Sequence, residues 1–152
     1  MLFEMPIKRL TPDSEIDDYI ENLVENKTQV IIRNLCYVGE KCINEARTNG
    51  GYYDQTGNLR SSIGYVVVRD GDIIQMSDFN KVKTGSQGTS DGQSFANKLI
   101  SEFPQGICLI VVAGMNYATY VSAKGYNVLD SSELLAEKLV PQMLKKLGFK
   151  RK

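Results

Sequence analysis

Few side chains in this sequence could carry out covalent or acid–base chemistry. The chain contains no histidine, which removes the commonest general base and the commonest metal ligand of proteins. A cysteine nucleophile that is activated by a histidine is therefore impossible. The three cysteines, Cys36, Cys42 and Cys108, have no Cys-x-x-Cys spacing, and we expect buried thiols that act as small hydrophobic side chains. A lysine nucleophile, for example Lys124, stays an open alternative that no surrounding pattern favours.

Carboxylates are the other reactive groups, and they cluster where a helix is predicted to begin. Asp13, Glu15, Asp17 and Asp18 place negative charge at the positive end of the dipole of that helix. They lack the glycine-containing spacing of a calcium loop. Glycoside cleavage by carboxylates needs a pair of acids in a cleft, and the chain has no tryptophan to form a sugar platform. The sequence therefore predicts no enzyme, no metal and no cofactor.

Size and charge limit the remaining classes of protein. A chain of 152 residues fits one domain. The 18 basic and 18 acidic residues cancel, which argues against specific nucleic-acid binding and against an anionic membrane surface. No segment approaches the roughly 18 apolar residues of a membrane span, and no signal-peptide pattern is present. The expected location is therefore the cytoplasm.

Residues 12–47 have the pattern of one long amphipathic helix. Apolar side chains recur at spacings of three and four from Ile16 to Ala46, and the Asn-Gly-Gly at residues 49–51 can end the helix. Such a helix would be about 50 Å long, so we expect an overhanging end or a bend near residues 26–28. Gly39 lies inside the helix, where it would let another element approach closely. Residues 1–10, which precede the helix, fit a short edge strand or an arm.

The strand predictions depend on runs of β-branched residues. Residues 63–69 and 72–76 flank Asp70-Gly71, a strong signal for a β-hairpin. Residues 107–113 form an uncharged aliphatic run, which predicts a strand buried on both faces. Residues 58–62 are expected to lead into the first strand.

The segment between these strands is polar and rich in glycine. Residues 77–93 are predicted to form a mobile loop, because a segment with so few apolar side chains cannot cover a core. Deleting residues 84–92 should on that basis leave the fold nearly intact. The glycines lack the Gly-Lys-Ser/Thr of a phosphate-binding loop. Residues 95–103 are expected to form a short helix, so residues 77–106 read as a loop and helix insertion.

The last third of the chain predicts a helical turn and a final helix. Tyr117 and Tyr120 would lie on one side of a short helical turn, and Gly125 would permit a sharp reversal. Residues 131–147 are predicted to be helical, with Asp130 and Glu133 as a capping box, and residues 148–152 form a basic tail. Together these elements predict an α+β fold.

Three short motifs resemble one known family. They are Thr-Gly-Asn-Leu-Arg-Ser-Ser at residues 56–62, Asn-Tyr-Ala-Thr-Tyr-Val at residues 116–121 and Lys-Gly-Tyr-Asn-Val-Leu at residues 124–129. With the long helix before them, the hairpin between them and the helix after them, they resemble the tail-completion proteins, or head–tail connector proteins, of long-tailed bacteriophages and prophages. The resemblance extends from about residue 19 to residue 147.

The resemblance implies both a fold and a role. The implied fold is a long N-terminal helix packed on a curved antiparallel β-sheet, with a short inserted helix and a C-terminal helix. The implied role is structural: a ring at the head–tail junction of the virion, without catalysis. Its partners would be other connector and tail proteins and further copies of the chain, which would be a monomer or weak oligomer in isolation. Interface or structural roles are expected for the motif residues Gly57, Asn58, Arg60, Tyr117, Tyr120, Gly125 and Tyr126.

A second class of function stays open. The basic residues at the end of the chain, Lys145, Lys146, Lys150, Arg151 and Lys152, would suit a small cytoplasmic binding or regulatory module that associates with nucleic acid. The zero net charge and the lack of aromatic residues alternating with basic ones along a strand argue against it.

Overall fold

Helices and an antiparallel sheet make up the fold. The structure, a computed structural model, describes residues 10–54, 57–79, 85, 87–115 and 118–150, with the backbone alone described at residues 119 and 120. The elements are α1 (Asp13–Thr48), α2 (Asn58–Ser61), β1 (Ile63–Arg69), β2 (Asp72–Met76), α3 (Gln87–Ile100), β3 (Ile107–Ala113), α4 (Ala118–Ala123) and α5 (Asp130–Lys146). This order confirms the predicted α+β class. Within the described ranges, no helix is long and apolar enough to cross a membrane.

The contacts within the chain group it into two compact units, Met1–Ile31 and Ile32–Lys152. The first unit contains the first half of α1, and none of its described side chains is buried. The second unit contains the rest of α1, the sheet and all later helices. α1 is continuous through residues 26–28, where the sequence suggested a bend as one of two alternatives.

The sheet has the strand order β2-β1-β3, and both pairings are antiparallel. The bounds of all three strands agree with the sequence predictions, and Asp70 and Gly71 both have positive φ, as a tight hairpin turn requires. The predicted burial of β3 is wrong, however. β3 lies at an edge of the sheet, and only Ile110 and Val112 in it are buried. The strand buried on both faces is the central one, β1, in which six of seven residues are buried.

One face of the sheet packs against α3. Val66 and Val68 of β1 join Ile110 of β3, Phe79 and Ala96 in a buried apolar cluster. Burying an aliphatic side chain of this kind stabilises the fold by roughly 1.5–3 kcal/mol. This cluster explains why α3 stays on the sheet despite its polar sequence.

The other face of β1 carries Tyr65, which lies against α1. A Cβ added at Gly39 would be 2.6 Å from Cδ2 of the Tyr65 ring, which is closer than real atoms can approach. The prediction that Gly39 allows a close approach is therefore confirmed. The Tyr65 side chain is 1% exposed, so the absence of a side chain at Gly39 makes room for a fully buried aromatic ring.

The prediction of a loop over residues 77–93 is wrong over its second half. α3 begins at Gln87, and Gly88 and Gly92 are buried on its inner face. A Cβ at Gly88 would overlap the backbone of Asn58, and one at Gly92 would be 2.6 Å from the carbonyl oxygen of Ser62. The glycines are thus packing positions of a helix, at a spacing of four residues. A deletion of residues 84–92 would remove this contact and should therefore disrupt the fold, contrary to the expectation from the sequence. Residues 80–84 and 86 lie outside the described residues.

Residues 58–62 lead into β1 as expected, and the first four of them form the short helix α2. The predicted cap of the last helix is corrected. α5 begins at Asp130 with Leu129 at its N-cap position, so Asp130 is the first residue of the helix and not its cap. Asn127 replaces the expected capping box, because its Oδ1 accepts a hydrogen bond of 3.1 Å from the backbone N–H of Ser131. Asp130 and Glu133 still contribute negative charge to the first turn.

Candidate functional site

Arg60 stabilises the C-terminal end of α1 and the segment that follows it. Its Nε donates a hydrogen bond of 3.1 Å to the carbonyl of Arg47, and its Nη2 donates to the carbonyls of Gly50 and Tyr52, each at 3.2 Å. Carbonyls at the end of a helix have no partner within the helix, and a cation is favourable there. The Arg60 side chain is 18% exposed and also lies over the ring of Tyr52, 4.6 Å from its centroid. Arg60 is therefore a structural cation at a helix end.

Asp54 contacts both the backbone and the side chain of Arg60. Its Oδ2 accepts a hydrogen bond of 2.9 Å from the backbone N–H of Arg60. The same oxygen is 4.0 Å from Nη1 of Arg60. The Asp54 side chain is buried, and burying a charged group is costly unless it is paired and hydrogen-bonded. The pair fixes α2 against the end of α1.

Asn58 connects α2 to α3. Its Oδ1 accepts a hydrogen bond of 3.0 Å from the backbone N–H of Gly88, in the first turn of α3. That N–H is one of the helix-terminal donors that have no partner in the helix. Gly57, with φ of 77°, provides the left-handed backbone that precedes Asn58. The Gly-Asn pair thus sets the position at which α3 meets α2.

Asn127 makes the corresponding connection from the C-terminal side. Its Nδ2 donates a hydrogen bond of 3.0 Å to the backbone carbonyl of Asn49. The backbone carbonyl of Asn127 accepts a hydrogen bond of 3.3 Å from the backbone N–H of Gly51. One turn into α5, Ser132 donates a hydrogen bond of 2.7 Å from Oγ to the carbonyl of Cys42. The start of α5 is therefore attached to the last turns of α1.

Two of the three motifs consequently meet at one place. We call the contact of Arg60 and Asn127 with the backbone of residues 47–52 the helix-end joint. The motifs predicted a structural or interface role for Arg60 but none for Asn127. One signal in the sequence could have identified Asn127. It carries a side-chain amide two residues after the predicted reversal at Gly125, whose φ is 86°.

The tyrosines among the sequence-predicted residues are not part of the helix-end joint. Tyr126 immediately precedes Asn127, and its side chain is 48% exposed. Tyr53, which follows the buried Tyr52, is 87% exposed. The structure thus presents two tyrosine rings next to the helix-end joint. Tyr117 lies outside the described residues, and Tyr120 is part of α4 by its backbone.

The described ranges contain no cluster of three or more cysteine, aspartate or glutamate side chains that could hold a metal ion. Burial raises the pKa of the Cys36 and Cys42 thiols, which makes both poor nucleophiles near neutral pH. Burial also lowers the pKa of Arg47, whose Nη2 donates a hydrogen bond of 2.6 Å to the carbonyl of Ile63. The partly buried guanidinium of Arg47 therefore connects the end of α1 to the start of β1.

The first unit offers a different surface. Along its part of α1, the apolar side chains of Tyr19, Ile20, Leu23 and Val24 are exposed, and Leu10 before the helix is 91% exposed. These residues recur at spacings of three and four, as on one side of a helix. Apolar side chains grouped in this way are typical of a protein-binding surface.

The chain was compared with protein families, curated proteins and solved structures. No family model, no curated protein and no solved structure matches this chain. The functional interpretation therefore depends on the geometry of the described residues and on the motifs.

Proposed function

We propose that the protein is a structural assembly protein of a long-tailed bacteriophage or prophage. In this proposal it completes the tail by forming part of a ring at the head–tail junction, and it assembles in the cytoplasm of the host. Its partners are further copies of the chain and the neighbouring connector and tail proteins. It performs no catalysis and requires no cofactor.

The observation that carries the proposal is the exposure of Tyr53 and Tyr126 next to the helix-end joint. Two of the motifs that resemble the tail-completion family contribute Arg60 and Asn127 to that joint. Tyrosine is enriched in protein interfaces because it combines a large apolar ring with a polar tip. A rigid joint that presents two such rings supports a role in protein–protein contact.

The decisive experiment is in vitro joining of phage heads and tails that were made without this protein. We expect purified protein to restore joining, measured as infectious particles and by electron microscopy. The variant Tyr53→Ser/Tyr126→Ser should lose at least about tenfold of this activity, because exposed aromatic anchors dominate interface energies. Circular dichroism should show that the variant keeps its fold, since both side chains are exposed.

Tyr37→Ser is the matched control. Tyr37 is also exposed, but it lies on α1 away from residues 47–52, beside Lys41. This variant should join heads to tails as well as the wild type. Failure of the wild-type protein to increase infectious particles would refute the proposed function. Full activity of the double variant would show that the contact lies elsewhere on the molecule.

A further inference from the structure

The first part of α1, residues 13–25, is an acidic helix with an exposed apolar stripe. It contains six acidic and no basic side chains. The apolar side chains of Ile20, Leu23 and Val24 are exposed and lie three and four residues apart, on one side of the helix. A helix in a protein gains most of its stability from packing such a face. The segment therefore suits a partner that offers apolar surface together with positive charge.

α5 and the residues that follow it form a groove with these properties, which we call the α5 groove. It has a volume of about 1000 Å³. Its apolar lining consists of Ala136, Val140, Pro141, Leu144 and Phe149. Along the chain, Glu137 lines its beginning, and Lys145 and Lys150 line its end. Residues 138–152 contain six basic and no acidic side chains.

The two surfaces carry opposite charges within a chain whose net charge is zero. Residues 13–25 of two copies would repel each other, whereas residues 13–25 attract residues 138–152. Both surfaces are exposed in a single copy, as Ile20 on the helix and Phe149 in the groove illustrate. A second copy of the chain therefore offers each surface its complement.

An antiparallel arrangement of the two helices aligns their apolar residues. Every α-helix rises by the same distance per residue, so residues four apart on one helix can face residues four apart on another. When Ile20 lies against Leu144, Val24 consequently lies against Val140. Ile20 and Val24 are exposed on α1, and Val140 and Leu144 line the α5 groove.

The same register also aligns the charges. It places Lys27, just after the acidic segment, near Glu137 at the beginning of the groove. It places Asp17 near Lys145 at the other end. A parallel arrangement would instead bring Asp17 to Glu137 and Lys27 to the basic end, and like charges that face each other oppose association. The charges therefore select the antiparallel arrangement.

We propose that residues 13–27 of one copy of the chain dock antiparallel in the α5 groove of a second copy. The inference rests on the self-association in the proposed function and names the surfaces that meet. Because the two surfaces differ, each copy can donate its helix to one neighbour and accept the helix of another. Head-to-tail contacts of this kind close into rings when the rotation between copies allows it.

Photo-cross-linking tests the contact with this protein alone. Tyr19 or Asn26, both exposed, is replaced by p-benzoylphenylalanine in a chain labelled with ¹⁵N, which is mixed with unlabelled chain and irradiated at high protein concentration. We expect cross-links between a labelled and an unlabelled copy. Mass spectrometry should locate those from position 19 to residues 141–150 and those from position 26 to residues 133–141.

The opposite order of the two positions would overturn the antiparallel arrangement. Cross-links within one copy only, cross-links to other elements, or no cross-links would overturn the docking itself.

Exchanging one pair of charges tests the register. Lys27→Glu and Glu137→Lys should each reduce the yield of cross-links between copies about fivefold, because each replaces an attraction by a repulsion. The double variant restores opposite charges and should recover the wild-type yield to within about twofold. A double variant that associates no better than either single variant would contradict the register.

Lys98→Glu is the matched control for charge. Lys98 is exposed on α3, outside the residues that line the α5 groove, and its replacement changes the net charge as Lys27→Glu does. It should change the yield of cross-links by less than about twofold. An effect as large as that of Lys27→Glu would show that net charge, and not the proposed contact, controls association.

The two assays fail independently of each other. The cross-linking mixture contains no phage component, so a negative result there leaves the head–tail joining assay untouched. Conversely, cross-links between copies without any joining activity would support the docking of α1 and refute the phage role.

Discussion

Tyr65 illustrates how a single residue depends on its neighbours in this protein. Its ring occupies the space above Gly39, and its hydroxyl group interacts with the carboxylate of Glu40. Burial, followed by the nearby negative charge of Glu40, raises the pKa of Tyr65 above its ordinary value. The folded state therefore favours the neutral phenol over the phenolate.

The raised pKa predicts a loss of stability at alkaline pH. Below a pH of about 10 the phenol is neutral in both states, and its contribution to stability is fully present. Above it, the unfolded state releases the proton first, so the free energy of unfolding should fall by up to about 1.4 kcal/mol per pH unit. The measurement is denaturant unfolding of the wild type and of Tyr65→Phe from neutral pH to above pH 10. The free energy of unfolding should fall with pH more steeply in the wild type, by up to about 1.4 kcal/mol per pH unit, because Tyr65→Phe has no phenol at this position. Identical slopes in the two proteins would contradict the prediction.

α3 shows how an element with little apolar surface can still belong to the core. Gly88, Gly92 and Ala96 recur every four residues and form its buried side, so the helix approaches the backbone of its neighbours without intervening side chains. The Phe79 ring and the chain at Ser62 fill the space that side chains would otherwise occupy. The close approach explains why a sequence resembling a flexible linker folds as a helix.

The packing of α3 predicts an inverted response to alanine. In an exposed helix, replacing glycine by alanine gains roughly 1 kcal/mol. At Gly92 the added methyl group would meet Phe79 and the carbonyl of Ser62, so Gly92→Ala should lower the free energy of unfolding by about 1–3 kcal/mol. Ser94→Ala, on the exposed side of the same helix, should be neutral or slightly stabilising. Denaturant unfolding of both variants provides the comparison, and a more stable Gly92→Ala would show that the contact is loose.

Local patterns in the sequence predicted local structure well. Asp70-Gly71 between two β-branched runs gave the hairpin with its correct bounds, because the turn and its strands are adjacent in the chain. The burial of β3 could not be predicted, because it depends on the order of strands, which no pattern within residues 107–113 records. The start of α3 was missed because small polar residues also suit loops, and only their spacing of four indicates a packed helix face.

The helix-end joint itself was not predicted from the sequence. The motif at residues 56–62 drew attention to Asn58 and Arg60, but their partners are backbone groups. Main-chain carbonyls such as that of Gly50 leave no mark in a sequence. The contact of Asn127 with Asn49 joins residues far apart in the chain and required the structure.

At the scale of the whole molecule, the described residues divide into a segment that exposes its apolar side chains and a unit with its own core. No side chain from Leu10 to Thr28 is buried, whereas Ile32, Leu35 and Val38 on the same helix are. Stability and association should therefore depend on different parts of the chain.

Truncation should separate these two properties. Removing residues 1–28 should lower the free energy of unfolding by less than about 1 kcal/mol, because none of the described side chains among them, those of residues 10–28, is buried. Leu35→Ala in the intact chain should cost about 2–5 kcal/mol, since Leu35 is buried. Thermal or denaturant unfolding of both proteins tests the difference. A truncated chain that unfolds as readily as Leu35→Ala would show that the first segment is required for the fold.

The central position of β1 also sets an order of events during folding. Its partner β2 follows after a two-residue turn, whereas its partner β3 begins only at Ile107, across the whole of α3. Closing a longer loop costs more chain entropy, so pairings between distant strands form more slowly than a hairpin does. Ribosomes add roughly 5–20 residues per second, so the hairpin has seconds to form before β3 has been synthesised. The edge of β1 that β3 later covers is therefore open in the nascent chain during that interval, and an open strand edge can pair with other chains.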